Sequence, residues 1–293
     1  MILIIIAPFL FDPVVFCADQ KADPKGVNEL IEKAEKPDSR LKRACKEGNL
    51  EEAMVALKDG AHINLDPTSS PSYGDDRAPL IHAAESGNLK LVELLVNAGA
   101  DVNMPVGCRA TPLTQAALKG HVEIVSFLLQ KKADVNAALY NGYTALIWAA
   151  WKGHEDVVDL LLVNGADVKA MADVNPKQGE KIGPTALHKA VRAGHLGVMK
   201  RLITKGADMN AKDSAAMTPL HWAADCGKTD AAILLIEQGA DLDAQDNDGY
   251  TPLIYATGGH PEIVDVLLAH KANPKLHNKR NQKAWKFFRA KYP

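Results

Sequence analysis

Histidine is the residue type in this chain with the widest range of possible chemistry, because its imidazole can bind a metal ion or transfer a proton near neutral pH. The chain has ten histidines among its 293 residues. Four of them directly follow a glycine, at His121, His154, His195 and His260. A Gly-His pair that recurs in this way predicts a repeated structural position where a glycine ends a helix. It does not indicate a single metal or acid–base site.

Two other strings resemble ligand-binding loops but lack required residues. Gly227-Lys228-Thr229 ends like a phosphate-binding loop, yet Trp222 stands where that loop needs a glycine. Asp246-Asn247-Asp248-Gly249 resembles part of a calcium loop, but its register puts Ala244 and Tyr255 at positions that require acidic side chains. HExxH and GxSxG strings are absent from the sequence. The sequence therefore predicts a protein that is not an enzyme and that has no metal site and no cofactor.

The composition restricts the class of protein. The formal net charge is -2, with 34 Lys and Arg residues against 36 Asp and Glu residues. This balance disfavours a protein that coats nucleic acid, so no nucleic-acid partner is expected. Aromatic residues make up only 5% of the chain and hydrophobic residues 47%, which predicts a core of Leu, Ile, Val and Ala.

The N-terminus begins with the apolar run MILIIIAPFLF. About ten apolar residues are too few to cross a bilayer, which takes ~20, but they have the length of a signal-peptide core. We therefore predict a cleaved signal peptide at residues 1–18, export to the periplasm or the exterior, and no integral membrane span in the mature chain. No Lys or Arg precedes the run, and Phe16 suits a cleavage site poorly, so a cytoplasmic protein with an apolar tail is the alternative.

The cysteines also bear on the compartment. The mature chain would keep Cys45, Cys108 and Cys226, which lie far apart in the sequence. Packed helices lie ~8–10 Å apart, whereas a disulfide needs Cα atoms within ~7 Å, so we expect no pairing within the chain. Three unpaired thiols fit an oxidising compartment poorly, which weakens the case for export.

One string, TPLHWAA at Thr218 to Ala224, has relatives along most of the chain. The relatives begin at residues 39, 78, 111, 144, 185 and 251, and four of the six intervals are 33 residues long. The strings Gly-Ala-Asp-Val-Asn, complete at residues 99–103, and Gly-His recur in the same phase. These linked motifs closely resemble the ankyrin repeat family over about residues 39–275, in about seven copies. With its apolar N-terminus, the protein resembles a small bacterial ankyrin protein.

Each motif also has a local physical role. The threonine can cap a helix with its hydroxyl, the proline suits the first helical turn, and a glycine can end the helix. Asn141-Gly142 and Asp248-Gly249 are tight-turn pairs that predict β-hairpin tips. We therefore predict an all-α solenoid of helix-turn-helix pairs with β-hairpin fingers. The seventh copy is one residue shorter between Thr251 and Gly259 than the sixth copy is, so its first helix should end early or shift register.

The predicted domains follow from these motifs. A linker with a short helix would occupy residues 19–38, the ankyrin repeat domain residues 39–275, and a basic C-terminal capping helix residues 276–293. Trp285, Phe288 and Tyr292 lie at helical spacing in this tail and would dock on the last repeat, because an end repeat needs a cap. The tail's positive charges could instead face an acidic partner or an anionic membrane.

The resemblance to ankyrin repeats implies a binding surface. The fingertips and first helices would line a concave face that binds a protein partner. His188 and His221 would bridge loops through hydrogen bonds, and the repeated aspartates would stabilise loops. The candidate partner-binding residues are Tyr140, Asn141, Tyr143, Trp148, Trp151, Lys152, Arg192, Trp222, Asp225, Asp248, Tyr250 and Tyr255. Trp and Tyr dominate many binding hot spots, although Trp148 and Trp222 would equally suit packing between repeats.

We therefore predict a monomeric, non-catalytic protein-protein interaction module whose partner the sequence does not identify. The alternative is a regulatory subunit or effector that binds a small anionic ligand, an acidic partner or a membrane surface through basic residues such as Lys119, Lys152 and Arg192. Salt dependence would separate these alternatives, because binding driven by charge weakens sharply as ionic strength rises. The insertion around Pro176 to Gly183 would extend one fingertip, either toward the partner or as an idle loop.

Overall fold

The computed structural model describes residues 35–64, 78–104, 110–139, 141–172, 183–280 and 282–284. Several predictions fall outside these residues: the signal peptide at 1–18, nearly all of the linker at 19–38, the fingertip residue Tyr140, most of the insertion after Pro176, and the aromatic stripe of the C-terminal tail.

Within the described ranges the protein forms fourteen helices, which follow one another as seven pairs. The first helices of the pairs are α1 (Pro37–Glu47), α3 (Pro79–Ser86), α5 (Pro112–Lys119), α7 (Ala145–Lys152), α9 (Ala186–Ala193), α11 (Pro219–Asp225) and α13 (Pro252–Ala256). The second helices are α2 (Leu50–Lys58), α4 (Leu89–Asn97), α6 (Val122–Gln130), α8 (Glu155–Val163), α10 (Leu196–Thr204), α12 (Thr229–Glu237) and α14 (Pro261–Ala269).

The first helices pack against one another in sequence order, and the second helices do the same, so the fourteen described helices form two layers. A single continuous core joins the seven pairs. The leucine of each TPLHWAA-like string is at most 2% exposed in the second to seventh copies, at Leu80, Leu113, Leu146, Leu187, Leu220 and Leu253. Alanines such as Ala116 and Ala149 are fully buried between neighbouring helices, and their small size lets the helices pack closely.

The ends of the helices follow the sequence motifs. The hydroxyl oxygens of Thr111, Thr144 and Thr251 accept backbone N–H groups three residues further on, which caps the first helices that follow them. Gly120 and Gly153 end two of these helices with φ near 80°, in the left-handed region that an L side chain disfavours. In the third and fourth copies the threonine and the glycine therefore fix the two ends of the first helix.

The first helix of the seventh copy is short, as its sequence predicts. Helix α13 has five residues and ends at Ala256, whereas α5 and α7 have eight. The Thr257 hydroxyl donates a hydrogen bond to the Ile254 carbonyl (2.6 Å) and helps to close the shortened end. The missing residue therefore ends the helix early.

The fingers between the pairs contain less strand structure than the turn motifs suggested. In the described residues they are closed by isolated antiparallel bridges, Ala138 with Thr144 and Met171 with Thr185, and His277 with Lys283 near the C-terminus. The sixth finger is a tight turn in which Gly249 N–H donates to the Asp246 carbonyl (3.0 Å).

Helices of the described residues are all too short or too polar to cross a membrane.

Candidate binding face

The recurring Gly-His pairs lock neighbouring repeats together. The His154 ring covers Gly120 of the preceding copy, and its Nε2 lies 3.1 Å from the Leu118 carbonyl oxygen. A methyl group added to Gly120 would lie 2.6 Å from the ring. His121, His195 and His260 make the equivalent contacts with the carbonyl oxygens of Glu85, Trp151 and Asp225. The predicted structural role of these histidines is confirmed.

His188 and His221 bridge consecutive loops, as the family resemblance implied. His188 Nδ1 accepts the Thr185 backbone N–H (3.2 Å), so the proton lies on Nε2, which donates to the Met217 carbonyl (3.0 Å). Burial lowers the pKa of His188 to about 4. His221 makes the same bridge to the Tyr250 carbonyl, and burial lowers its pKa as well.

A second ladder joins the loops that follow the second helices. Asp101 Oδ1 accepts the backbone N–H of Asn103 (2.8 Å), and Asn103 Oδ1 accepts the backbone N–H of Asp134 in the next copy (2.8 Å). Asn136 repeats this contact with Asp167. The predicted loop-stabilising role of the repeated aspartates is thus confirmed.

Both ladders are interrupted at the fifth copy. Lys169 stands where Asn103 and Asn136 stand in earlier copies, and an ammonium group cannot accept the backbone N–H of Asp208. A cavity of about 260 Å³ lies beside Lys169 and Asp208. At the next junction Lys228 replaces the histidine, and an open cavity of about 400 Å³ lies beside it. Each substitution by lysine thus coincides with a cavity.

The first-helix face is the surface formed by the first helices and the adjoining finger turns. Its described residues are Asn141, Tyr143, Trp148, Trp151, Lys152, Lys189, Arg192, Trp222, Asp225, Asp248, Tyr250 and Tyr255. All but Lys189 are candidates from the sequence; Tyr140 lies outside the described residues. Asn141, Asp225 and Asp248 are exposed. Asn141 Oδ1 accepts the Tyr143 N–H (3.3 Å), and the Asp248 carbonyl accepts the Lys279 N–H (2.8 Å).

Three aromatic rings from the fourth copy pack together on this face. The rings of Trp148 and Trp151 stack with centroids 5.2 Å apart and planes at 20°. Tyr143 lies 5.0 Å from Trp148 and 6.5 Å from Trp151. Trp151 is 36% exposed, whereas Trp148 and Tyr143 are half-buried. Mutual packing therefore holds an exposed aromatic surface in place.

Lys189, which the sequence analysis missed, joins these rings to the sixth copy. Its ammonium nitrogen lies 5.0 Å from the ring centroids of both Tyr143 and Trp151 and 5.4 Å from that of Trp222. The residue is only 7% exposed. Contacts of this length with ring faces stabilise a cation. We call the group Tyr143, Trp148, Trp151, Lys152, Lys189, Arg192 and Trp222 the Trp151 cluster.

Two further cations lie over rings at the edge of the cluster. The Lys152 ammonium nitrogen is 5.5 Å from the Trp151 centroid, and the Arg192 guanidinium carbon is 5.6 Å from the Trp222 centroid. Both side chains are exposed. Sequence-predicted residues of the fourth, fifth and sixth copies are therefore brought together, with Lys189 at their centre.

The aromatic residues of the sixth and seventh copies are each fixed by an aspartate of their own finger. Trp222 Nε1–H donates to Asp213, and the Tyr255 hydroxyl donates to Asp246, both at 2.8 Å. Burial, with Asp246 adding to it, raises the pKa of Tyr255. Tyr250 lies 5.5 Å from Tyr255, with the ring planes tilted by 44°. These rings form a second aromatic group, next to the cluster.

A family model and solved structures both match this protein. The family described as "Ankyrin repeats (3 copies)" matches residues 15–106, 103–172 and 187–278. The crystal structure of the human ASB11 ankyrin repeat domain is similar with a TM-score of 0.65 and 29% sequence identity, covering 72% of this protein and 91% of that domain. None of the curated proteins matches the sequence.

Proposed function

The chain belongs to the ankyrin repeat family, whose repeats generally mediate binding to other proteins, and we propose that it is a non-catalytic module that binds a partner protein on its first-helix face. The observation that carries this proposal is the Trp151 cluster, in which rigidly packed aromatic and cationic side chains present one continuous surface.

Trp151 is the residue of the cluster best suited to anchor a partner. It is 36% exposed and stacked on Trp148. A side chain already held by packing loses little conformational entropy when a partner covers it, so more of the contact energy appears as affinity. Trp, Tyr and Arg are also the residue types most enriched among binding hot spots.

The histidines beside this face support a non-catalytic role. His188 and His221 use both ring nitrogens in hydrogen bonds that hold neighbouring loops. Burial lowers the pKa of both rings, whereas a general acid or base near neutral pH needs a pKa close to 7 and an accessible nitrogen. These rings therefore suit the maintenance of structure.

Comparative capture of partners tests the proposal. The mature protein, a Trp151→Ala variant and a Val163→Ala control serve as baits, since Val163 is 74% exposed at the end of a second helix. We expect proteins bound by the wild type and by the control to be lost with Trp151→Ala. The opposite result would be proteins that still bind a Trp151→Ala and Tyr143→Ala double variant but no longer bind Val163→Ala. That result would mean that the binding site lies on the second helices instead.

We also propose that residues 1–18 are removed on export and that the mature protein acts as a monomer. The thiol of Cys45 is fully buried, and burial raises its pKa to about 12, which keeps it protonated and slow to oxidise. Intact-mass measurement of the protein recovered from its native host is expected to find a mature N-terminus after residue 18. An uncleaved protein in the cytoplasm would contradict this.

A further inference from the structure

The Trp151 cluster combines three cationic groups with four aromatic rings. Lys152, Lys189 and Arg192 each lie over at least one ring. Lys189 shares the Trp151 ring with Lys152 and the Trp222 ring with Arg192. Three cationic side chains therefore lie around the same two indole rings, those of Trp151 and Trp222.

No carboxylate of the described residues forms an ion pair with any of these three cations. Asp213 contacts the same Trp222 side chain that Lys189 lies over. Its carboxylate oxygens already accept the Trp222 indole N–H and the backbone N–H groups of Ala215 and Met217. Elsewhere in the protein cations do find partners: Lys119 pairs with Glu85, and Arg201 pairs with Glu155 and Asp159.

Lys189 differs from an ordinary surface lysine. Only 7% of the residue is exposed, and its ammonium nitrogen lies within 5.4 Å of three ring centroids. A buried charge with ring faces as its neighbours keeps part of its desolvation cost, because a cation–π contact is weaker than a full ion pair. An anion that reached this nitrogen would add an ion pair to the ring contacts and offset that cost, and Arg192, which lies over the same Trp222 ring, would be a second cation beside it.

We propose that the partner contributes a carboxylate, from an acidic side chain or from its own C-terminus, which binds between Lys189 and Arg192 while an adjacent apolar side chain covers Trp151. The occupant is a short acidic segment of a protein. Charge complementarity selects the carboxylate, and the exposed tryptophan face selects the apolar neighbour. This inference rests on the proposed function and names the chemistry of its partner.

Selection from a random peptide library displayed on phage tests the proposal, with the mature protein as bait. We expect the selected peptides to be enriched in Asp or Glu next to an apolar residue, relative to the unselected library. Selected peptides made synthetically should bind Lys189→Met at least tenfold more weakly than the wild type, since removal of one member of a buried charge pair acts mainly on affinity. Arg192→Gln, at an exposed position, should also weaken binding and serves if Lys189→Met folds poorly.

Lys131→Met is the matched control, because the Lys131 ammonium nitrogen also lies over a ring, 5.4 Å from the Phe127 centroid, but belongs to the end of a second helix. It should leave peptide affinity unchanged. The proposal would be overturned by a selection that yields no peptides or peptides without acidic enrichment. It would also be overturned if Lys131→Met and Lys189→Met lost peptide affinity equally. If inorganic phosphate displaces the peptides and sodium acetate at equal ionic strength does not, the proposed carboxylate is wrong and the anion that binds here is a phosphate group.

The outcome separates this inference from the proposed function. If the selected peptides are neutral but still depend on Trp151, the first-helix face binds proteins and only the acidic chemistry is wrong. If folded partners are captured equally well by the wild type and by Trp151→Ala, the proposed function itself fails.

Discussion

Lys189 occupies in the fifth copy the position that Trp222 occupies in the sixth, and its ammonium nitrogen lies 5.4 Å from the centre of the Trp222 ring. The same position holds Trp148 in the fourth copy and Tyr255 in the seventh. A cation thus interrupts a row of aromatic side chains on consecutive first helices. Aromatic faces surround its charge in place of an opposite charge, and this gives the first-helix face its chemical character.

Trp151→Ala should weaken partner binding far more than it weakens the fold. Trp151 is partly exposed and has the Trp148 ring as its stacking partner, so the expected loss of unfolding free energy is about 1 kcal/mol. Chemical denaturation of the variant beside wild type measures this. A loss above about 3 kcal/mol would assign Trp151 to the core.

His188 should make stability depend on pH below neutrality. Burial holds its folded pKa at about 4, against 6.5 for the ordinary value. As pH falls below 6.5 the unfolded protein binds a proton that the folded protein refuses until about pH 4. The contribution of His188 to the free energy of unfolding is therefore fully present above pH 6.5. It declines between pH 6.5 and pH 4, by at most about 3 kcal/mol. Urea denaturation across this range measures the slope.

The His188→Gln variant checks the source of that slope. It should be less stable than wild type at pH 7.5, because the bridge to the Met217 carbonyl is weakened, and its stability should change less between pH 6.5 and pH 4. His270→Gln serves as control, since the His270 ring is exposed and its hydrogen bond is to the Val266 carbonyl of its own helix. An unchanged slope in His188→Gln would assign the pH dependence to other groups.

Lys228→His should stabilise the protein. The backbone at Lys228 has φ -90° and ψ 76°, close to the values at His154, so a histidine fits there without strain. Its ring would cover Gly194 and reach the Arg192 carbonyl, as the other histidines reach theirs. We expect a gain of about 0.5–1.5 kcal/mol, the usual net value of one hydrogen bond. The reverse change, His154→Lys, should lower the melting temperature, and a neutral effect of both would disprove the role of the ladder.

Gly120→Ala and Gly206→Ala separate two costs of adding a methyl group. Both glycines have positive φ, 79° and 84°, which costs an L residue about 1–2 kcal/mol. At Gly120 the methyl group would also meet the His154 ring at 2.6 Å, whereas at Gly206 nothing lies within 4 Å. Gly120→Ala should therefore be the more damaging by about 1–3 kcal/mol. Equal melting temperatures would contradict the close ring contact.

The repeats were predictable from the sequence because the same physical demands recur in every copy. The leucine and alanines of the TPLHWAA-like strings define the core, and Gly120 or its equivalent defines the helix end. Even the early end of α13 at Ala256 could be predicted from a single missing residue. The finger turns were predicted less well, since a tight-turn pair such as Asn141-Gly142 fixes the turn but not the length of strand pairing beside it.

Lys189 escaped the sequence analysis because its environment is built by other copies. Tyr143 and Trp151 belong to the fourth copy and Trp222 to the sixth, so no local pattern contains the contacts. A signal was available once the copies were aligned. A lysine at the position of Trp148 and Trp222 must lie between two aromatic neighbours when first helices pack in sequence order.

The replacements Lys169 and Lys228 also bear on how the stack comes apart. In a repeat array each unit is held only by its two neighbours, so the coupling at each junction decides where cooperativity breaks. The fifth unit has lost an interlock on both sides and borders a cavity on each. At the fourth–fifth junction Arg201 still pairs with Glu155 and Asp159. Heating or mechanical pulling should therefore divide the stack first between the fifth and sixth units, leaving five units on one side and two on the other, and the amides of α11 to α14 should exchange with deuterium ahead of those of α5 to α8.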